Sequence, residues 1–261
     1  MSIKRHIPNA ITCCNLLCGC LAIVQSFEGN LVNAAYLVSL ALIFDFFDGF
    51  AARMLRVASP IGKDLDSLAD MATFGVVPGV VMFKLLKLSI ISKNYPDLFL
   101  FGINKNASQF DLSESFSKTD GNTMLLPYAA FFITIFSAIR LAKFNNDLRQ
   151  SDSFIGVPTP ANAILICSLP LVINAVGPVW FNPYVLVIIS VIMSLLLISE
   201  IPLFALKFKF FGWRGNRIRY TFLGLSALLL ITLQFVGIPL IIILYILMSV
   251  ITNFYMKRRT V

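Results

Sequence analysis

The chain has 261 residues, of which 58% are hydrophobic and 13% charged, with a formal net charge of +8. A soluble domain carries about 25% charged residues and under half apolar ones, so this composition excludes an ordinary water-soluble globule and points to lipid as the solvent. The basic excess does not indicate a nucleic-acid partner, because the Lys and Arg residues lie between apolar runs rather than on one polar face.

At roughly 20 apolar residues per crossing, eight spans are predicted. Residues 1–8 carry Lys4, Arg5 and His6, and the apolar run behind them lacks the small-residue site of a cleavable signal. The first span is 9–27. It contains Cys13, Cys14, Cys18 and Cys20, which read with Cys167 as small apolar packing residues, since no histidine cluster or second thiol cluster completes a metal site. The turn 28–30 leads to the second span, 31–55, and the third follows at 61–86. A polar stretch, 87–122, interrupts the pattern. The remaining spans are 124–144, 159–176, 185–204, 221–236 and 238–256.

Basic residues cluster at alternate connections: Lys4 and Arg5; Arg53, Arg56 and Lys63; Arg140, Lys143 and Arg149; Lys207, Lys209, Arg214, Arg217 and Arg219; Lys257, Arg258 and Arg259. The connections 28–30, 177–184 and 237–239 have none. Positive residues mark cytoplasmic loops, so both termini are expected in the cytoplasm. The mixed-charge stretch 87–122 reads as an external insertion. The expected fold is all-α: a polytopic bundle of about eight helices, a single domain over 1–261 in the cell's inner (plasma) membrane.

Acids inside the apolar helices break this pattern. An Asp at the centre of a membrane helix costs about 2.5–3.5 kcal/mol on insertion scales, and several occur here. Asp45, Asp48 and Ala52 are spaced i, i+3, i+7 and share one helix face; Gly62, Asp66 and Asp70 are spaced i, i+4, i+8 on the next helix. The short connection makes the two helices antiparallel neighbours, so both acidic faces can converge near the cytoplasmic surface. Four bare carboxylates would repel strongly; hard divalent cations, Mg²⁺ or Mn²⁺, would neutralise them through oxygen ligands. Two such ions form a clamp for in-line attack at phosphorus.

Several neighbours have two readings. Gly49, Ala52 and Gly62 leave room for backbone to approach a flat ring, or allow ordinary close helix packing. Arg53 is a planar fork for phosphate or a snorkelling anchor. Arg140, ending the fourth span, is a cytoplasmic anchor or a contact for phosphate or carboxylate. Asn9 caps the first helix or belongs to the site; Asn15 is expected to hydrogen-bond between helices. His6 is the only histidine and lies in the polar N-terminal segment, so an acid must serve as any base. A cation transporter using the acids as an ion path is the rival reading. It would spread them through the membrane depth, whereas here they gather near one face.

The run Asp45-x2-Asp48-Gly49-x2-Ala52-Arg53-x8-Gly62-x3-Asp66-x3-Asp70 resembles, at every fixed position, the signature of the CDP-alcohol phosphatidyltransferase family. The resemblance implies that Asp45, Asp48 and Asp66 hold two divalent metals, and that Asp70 completes the metal site and acts as general base. It implies that Gly49, Ala52, Arg53 and Gly62 contact the CDP moiety. The flanks Ile7-Pro8-Asn9-Ala10-Ile11-Thr12-x2-Asn15, Asp66 to Pro78, Ala138 to Asn145 and Phe154 to Pro160 resemble the membrane-embedded branch that uses serine as acceptor. CDP-diacylglycerol and L-serine are therefore the expected substrates, phosphatidylserine and CMP the products, and Arg140 a contact for the acceptor or lipid phosphate. Glycerol 3-phosphate or an inositol phosphate is the alternative acceptor. A homodimer in the bilayer, its active site facing the cytoplasm, is the assembly the family implies.

Overall fold

The computed structural model describes residues 6–57, 59–92, 123–146, 154–178, 181–204 and 212–257. The insertion beyond residue 92, and Lys4, Arg5, Arg149, Lys207, Lys209, Arg258 and Arg259 of the charge pattern, lie outside the described residues.

The first two helices, α1 (His6–Phe27) and α2 (Leu31–Leu55), form an antiparallel hairpin. Its turn closes through Asn30 N–H to the Gln25 carbonyl at 2.8 Å. Gly29 takes φ +87° there, a left-handed conformation that disfavours residues with a Cβ. Because α1 already includes residues 6–8, Asn9 lies inside the helix and is not its cap. At the end of α2, Arg56 adopts φ 53°, and the N–H groups of Arg56 and Val57 return to the carbonyls of Arg53 and Ala52. This closes the helix and turns the chain sharply.

Ser59 starts the next helix. Its Oγ accepts from Gly62 N–H at 3.0 Å, and Pro60 follows at the first helical position, where its missing N–H costs nothing. Helix α3 (Pro60–Asp70) runs into a π-helical turn, Met71–Val76, and then α4 (Val77–Ser92). The third helix thus continues six residues past the predicted end, because Leu88, Ile90 and Ile91 are buried rather than part of a polar insertion.

After a 3₁₀ turn, Leu126–Ala130, come α5 (Phe131–Asn146), α6 (Thr159–Val176) and α7 (Pro183–Ile198). The Asn182 side chain caps α7 by accepting from Val185 N–H at 3.0 Å. The sixth segment stops at Ile198 instead of 204. Its tail is extended, and β2 (Pro202–Leu203) pairs antiparallel with β1 (Phe154–Ile155). This small ladder, continued by Gly156 N–H to the Ile201 carbonyl at 3.0 Å, fixes the segment leading into α6. The last helices are α8 (Trp213–Leu233) and α9 (Gly237–Lys257), separated by a 3₁₀ turn at Gln234–Val236. Tyr245 of α9 anchors there by donating to the Phe204 carbonyl at 2.9 Å.

The molecule is an all-α membrane bundle, with that short ladder as its one extended element among the described residues. Six stretches are long and apolar enough to cross a bilayer, Asn216–Asn253 counting as one; Pro183–Ile198 is apolar but shorter. In Pro60–Ser92, 78% of the apolar stretch is buried, against 6% in Asn216–Asn253. The third helix is therefore the core, with Phe74, Met82, Leu85 and Leu86 fully enclosed. Close approach depends on small residues: a Cβ on Gly19 of α1 would collide with the Thr73 side chain of the π turn. Such contacts replace the hydrophobic force that lipid cannot provide between helices.

Candidate active site

The ends of α2 and α3 bring Asp45, Asp48 and Asp66 together, with one carboxylate oxygen from each lying within 4.8 Å of the others. Asp48 is buried, while Asp45 and Asp66 are half-buried. At that separation and an effective dielectric of ~20, each pair of charges repels by roughly 3 kcal/mol. Hence the bare triad is costly. Hard oxygen donors are the ligands divalent ions require, and a ~2.1 Å coordination radius spans oxygens up to ~4.2 Å apart. The triad therefore fits a divalent cation with little adjustment.

Asp70 stands outside this triad. Its carboxyl lies against that of Asp45, one turn of α3 beyond Asp66. Its Oδ1 is buried with no hydrogen-bond partner among the described residues.

Beside the triad is a cavity of about 250 Å³. Of the residues anticipated to touch a nucleotide, Gly49, Ala52 and Gly62 line it, together with Asp48 and Asp66. Arg53 is exposed and does not line the cavity directly; its guanidinium lies over Gly49, with Nη1 3.4 Å from where a Cβ would stand. Position 62 favours glycine, since a Cβ there would meet Asn9 Oδ1 and Ser59 Oγ at 3.0 Å.

The remaining wall comes from residues outside the fixed positions of the acidic run: Pro8, Asn9, Thr12, Val57, Ser59 and Lys63. Thr12 donates to Asp48 Oδ2 at 2.7 Å, and its Oγ1 also lies 3.1 Å from the Pro8 carbonyl oxygen. The signal for Pro8, Asn9 and Thr12 was the N-terminal run Pro8-Asn9-x2-Thr12, whose i, i+3 spacing puts Asn9 and Thr12 on one face. Ser59-Pro60 carries a helix-start signature that marks the loop closing the cavity.

Arg140 is no exposed anchor. It is 6% exposed within α5; Nη1 donates to Thr159 Oγ1 at 3.3 Å, and the guanidinium lies 5.1 Å from the centre of the Phe144 ring. Farther along the same helix Asn145 donates to Ser67 Oγ of α3 at 2.9 Å, which holds α5 beside the segment that carries Asp70. Asn15 is fully buried, yet its amide makes no hydrogen bond among the described residues. Its backbone carbonyl, instead of the side chain, bridges the helices by accepting from Thr73 Oγ1 at 3.2 Å. Among the cysteines, Cys18 and Cys167 are buried, Cys13, Cys14 and Cys20 are exposed, and all five are free thiols.

Residues 5–208 match the family model described as CDP-alcohol phosphatidyltransferase. The chain is 29% identical over 197 residues to a Bacillus subtilis protein named CDP-diacylglycerol–serine O-phosphatidyltransferase, covering 76% of this chain and 89% of that one. A protein of the same name from Helicobacter pylori is 32% identical over 169 residues, covering 64% of this chain and 58% of the relative. Another, from Methanocaldococcus jannaschii, is 27% identical over 196 residues, covering 75% and 72%.

Proposed function

Because this chain belongs to the CDP-alcohol phosphatidyltransferase family, we propose that it transfers the phosphatidyl group of CDP-diacylglycerol to L-serine, releasing phosphatidylserine and CMP. The observation that carries this reading is the junction of three carboxylates with a cavity floored by glycines and alanine. The shared name of the bacterial and archaeal relatives supports serine as the acceptor.

Asp45, Asp48, Asp66 and Asp70 would hold two divalent ions, Mg²⁺ or Mn²⁺. When bound, such ions neutralise the pyrophosphate and the charge developing on the leaving CMP. Gly49, Ala52 and Gly62 let the cytidine and ribose approach backbone, and Arg53 swings over the same groove to pair with phosphate. Asp70 accepts the proton of the serine hydroxyl as that oxygen bonds to the phosphorus bearing diacylglycerol, and the bond to CMP breaks with its electrons leaving on CMP. Arg140 holds the acceptor or the lipid phosphate. The residues work mainly by positioning and charge neutralisation, the chief requirements of phosphoryl transfer.

In this reading, residues 1–261 form one catalytic membrane domain of eight crossings, with both termini and the acidic cluster on the cytoplasmic side of the cell membrane, working as a homodimer. The alternation of basic connections supports that orientation. The direct test supplies purified protein and CDP-diacylglycerol with serine, glycerol 3-phosphate and inositol phosphate in turn, and follows CMP release. Serine-dependent release is expected; release with a phosphorylated alcohol alone would overturn the assignment.

A further inference from the structure

Buried polar atoms without a hydrogen-bond partner are not scattered through the described residues. They belong to Asn15, Asp70, Ser137, Arg140, Asn162 and Ser226, and most gather around the π turn that follows Asp70. Thr73 of this turn binds the carbonyl of Asn15. Gly75 packs on Ser137, whose Cβ would lie 3.3 Å from a Cβ at that glycine. Ser137 and Arg140 are spaced i, i+3 on α5, and Arg140 reaches Thr159 of α6. Thr159 and Asn162 are again spaced i, i+3, so Asn162 lies one turn along α6 on the same face. Orphaned polar groups cost free energy and call for an explanation, and π turns recur at functional sites.

We propose that Asn162 and the unpartnered Nε edge of Arg140 form the receptor for the α-carboxylate and ammonium of the acceptor, making Asn162 a determinant of selectivity for a small zwitterion. This rests on the reading that the acceptor is serine. Arg140 spends Nη1 on Thr159 and keeps Nε free, a donor suited to a carboxylate. Asn162 is fully buried, and both atoms of its amide are unpartnered among the described residues. Its oxygen accepts from an ammonium, and its nitrogen donates to a carboxylate oxygen. A phosphorylated polyol offers no ammonium and leaves that amide oxygen unpaired, the kind of loss by which polar sites reject analogues. Ser137 packs on Gly75, and Asn145 of the same helix donates to Ser67 Oγ at 2.9 Å, so α5 runs beside the segment that carries Asp70 and the acceptor's hydroxyl end falls on the side of the proposed base.

The test compares the parent with Asn162→Leu, of similar volume, and with Asn162→Ser. Serine and 3-hydroxypropionate, which lacks the ammonium, serve as acceptors, and metal-dependent CDP-diacylglycerol binding reports folding. In Asn162→Leu the KM for serine should rise at least ~10-fold, the scale of one charge-assisted hydrogen bond. The KM for CDP-diacylglycerol should stay within about twofold, and the preference for serine over 3-hydroxypropionate should collapse. If Asn162→Leu does not bind the CDP-lipid, Asn162→Ser decides the matter by the same criteria. Retained preference for serine, or an equal rise in both KM values, overturns this proposal while leaving the reaction intact. Should the parent itself use a phosphorylated alcohol instead of serine, both the acceptor assignment and this proposal fall.

Discussion

Thr12 of α1 donates a 2.7 Å hydrogen bond to Oδ2 of Asp48 on α2, across 36 positions of sequence. The bond orients one carboxylate of the triad. Groups that orient metal ligands typically contribute 10–100-fold in metal affinity or activity. Thr12→Val keeps the shape and removes the donor. The Mg²⁺ concentration giving half-maximal CMP release should rise about tenfold, with most of the maximal rate recovered at saturating metal. An unchanged metal titration would show that the hydroxyl only packs the hairpin.

Chelation should abolish turnover. The carboxylate oxygens of Asp45, Asp48 and Asp66 crowd within 4.8 Å of one another, and a divalent cation is the partner that hard oxygen donors of this kind suit. Exhaustive treatment with EDTA is expected to stop CMP release, and Mg²⁺ or Mn²⁺ to restore it. Full activity in EDTA would eliminate the metal mechanism.

Asp70 and Asp48 should fail differently when changed. Asp70→Asn removes the proposed base, and turnover should fall at least ~100-fold, the lower range for a positioned general base, with metal-dependent binding of CDP-diacylglycerol still measurable. Asp48→Asn and Asp45→Asn should lose that binding along with activity. Normal turnover by Asp70→Asn, or full-strength CDP-lipid binding by Asp48→Asn, would break the division of roles.

Gly62→Ala tests the cavity floor. The added Cβ would press on Asn9 and Ser59 at 3.0 Å. Overpacking of this kind costs about 1–3 kcal/mol, so the KM for CDP-diacylglycerol should rise roughly tenfold or more, while the KM for serine changes little. An unaltered CDP-lipid KM would mean that the nucleotide lies elsewhere.

Orientation can be read by labelling. In a background with the five cysteines replaced, Glu28→Cys in the α1–α2 turn should react with a membrane-impermeant maleimide from outside. Arg56→Cys, after α2, should react only from the cytoplasmic side. The reverse pattern would invert the proposed topology.

What the amino-acid sequence determined by itself was local. The spacing of Asp45, Asp48 and Ala52, and of Gly62, Asp66 and Asp70, follows from the helix repeat. A short capped turn between two apolar helices then makes the acidic faces neighbours. Hydropathy likewise marked most helices within a few residues. It missed the end of the sixth segment, where pairing of Pro202–Leu203 with Phe154–Ile155 overrides an apolar run. Only the tertiary structure decided how far the acidic faces meet. Asp66 and Asp70 are separated by about 6 Å of helix rise, so Asp66 closes on Asp45 and Asp48 while Asp70 stays outside that close group, its carboxyl against Asp45. The placement of Thr12 on Asp48 and of Arg140 on Thr159 was equally beyond the sequence pattern. Each depends on the register between separate helices, and that register is set by packing at residues such as Gly19 and Gly75, outside the motif itself.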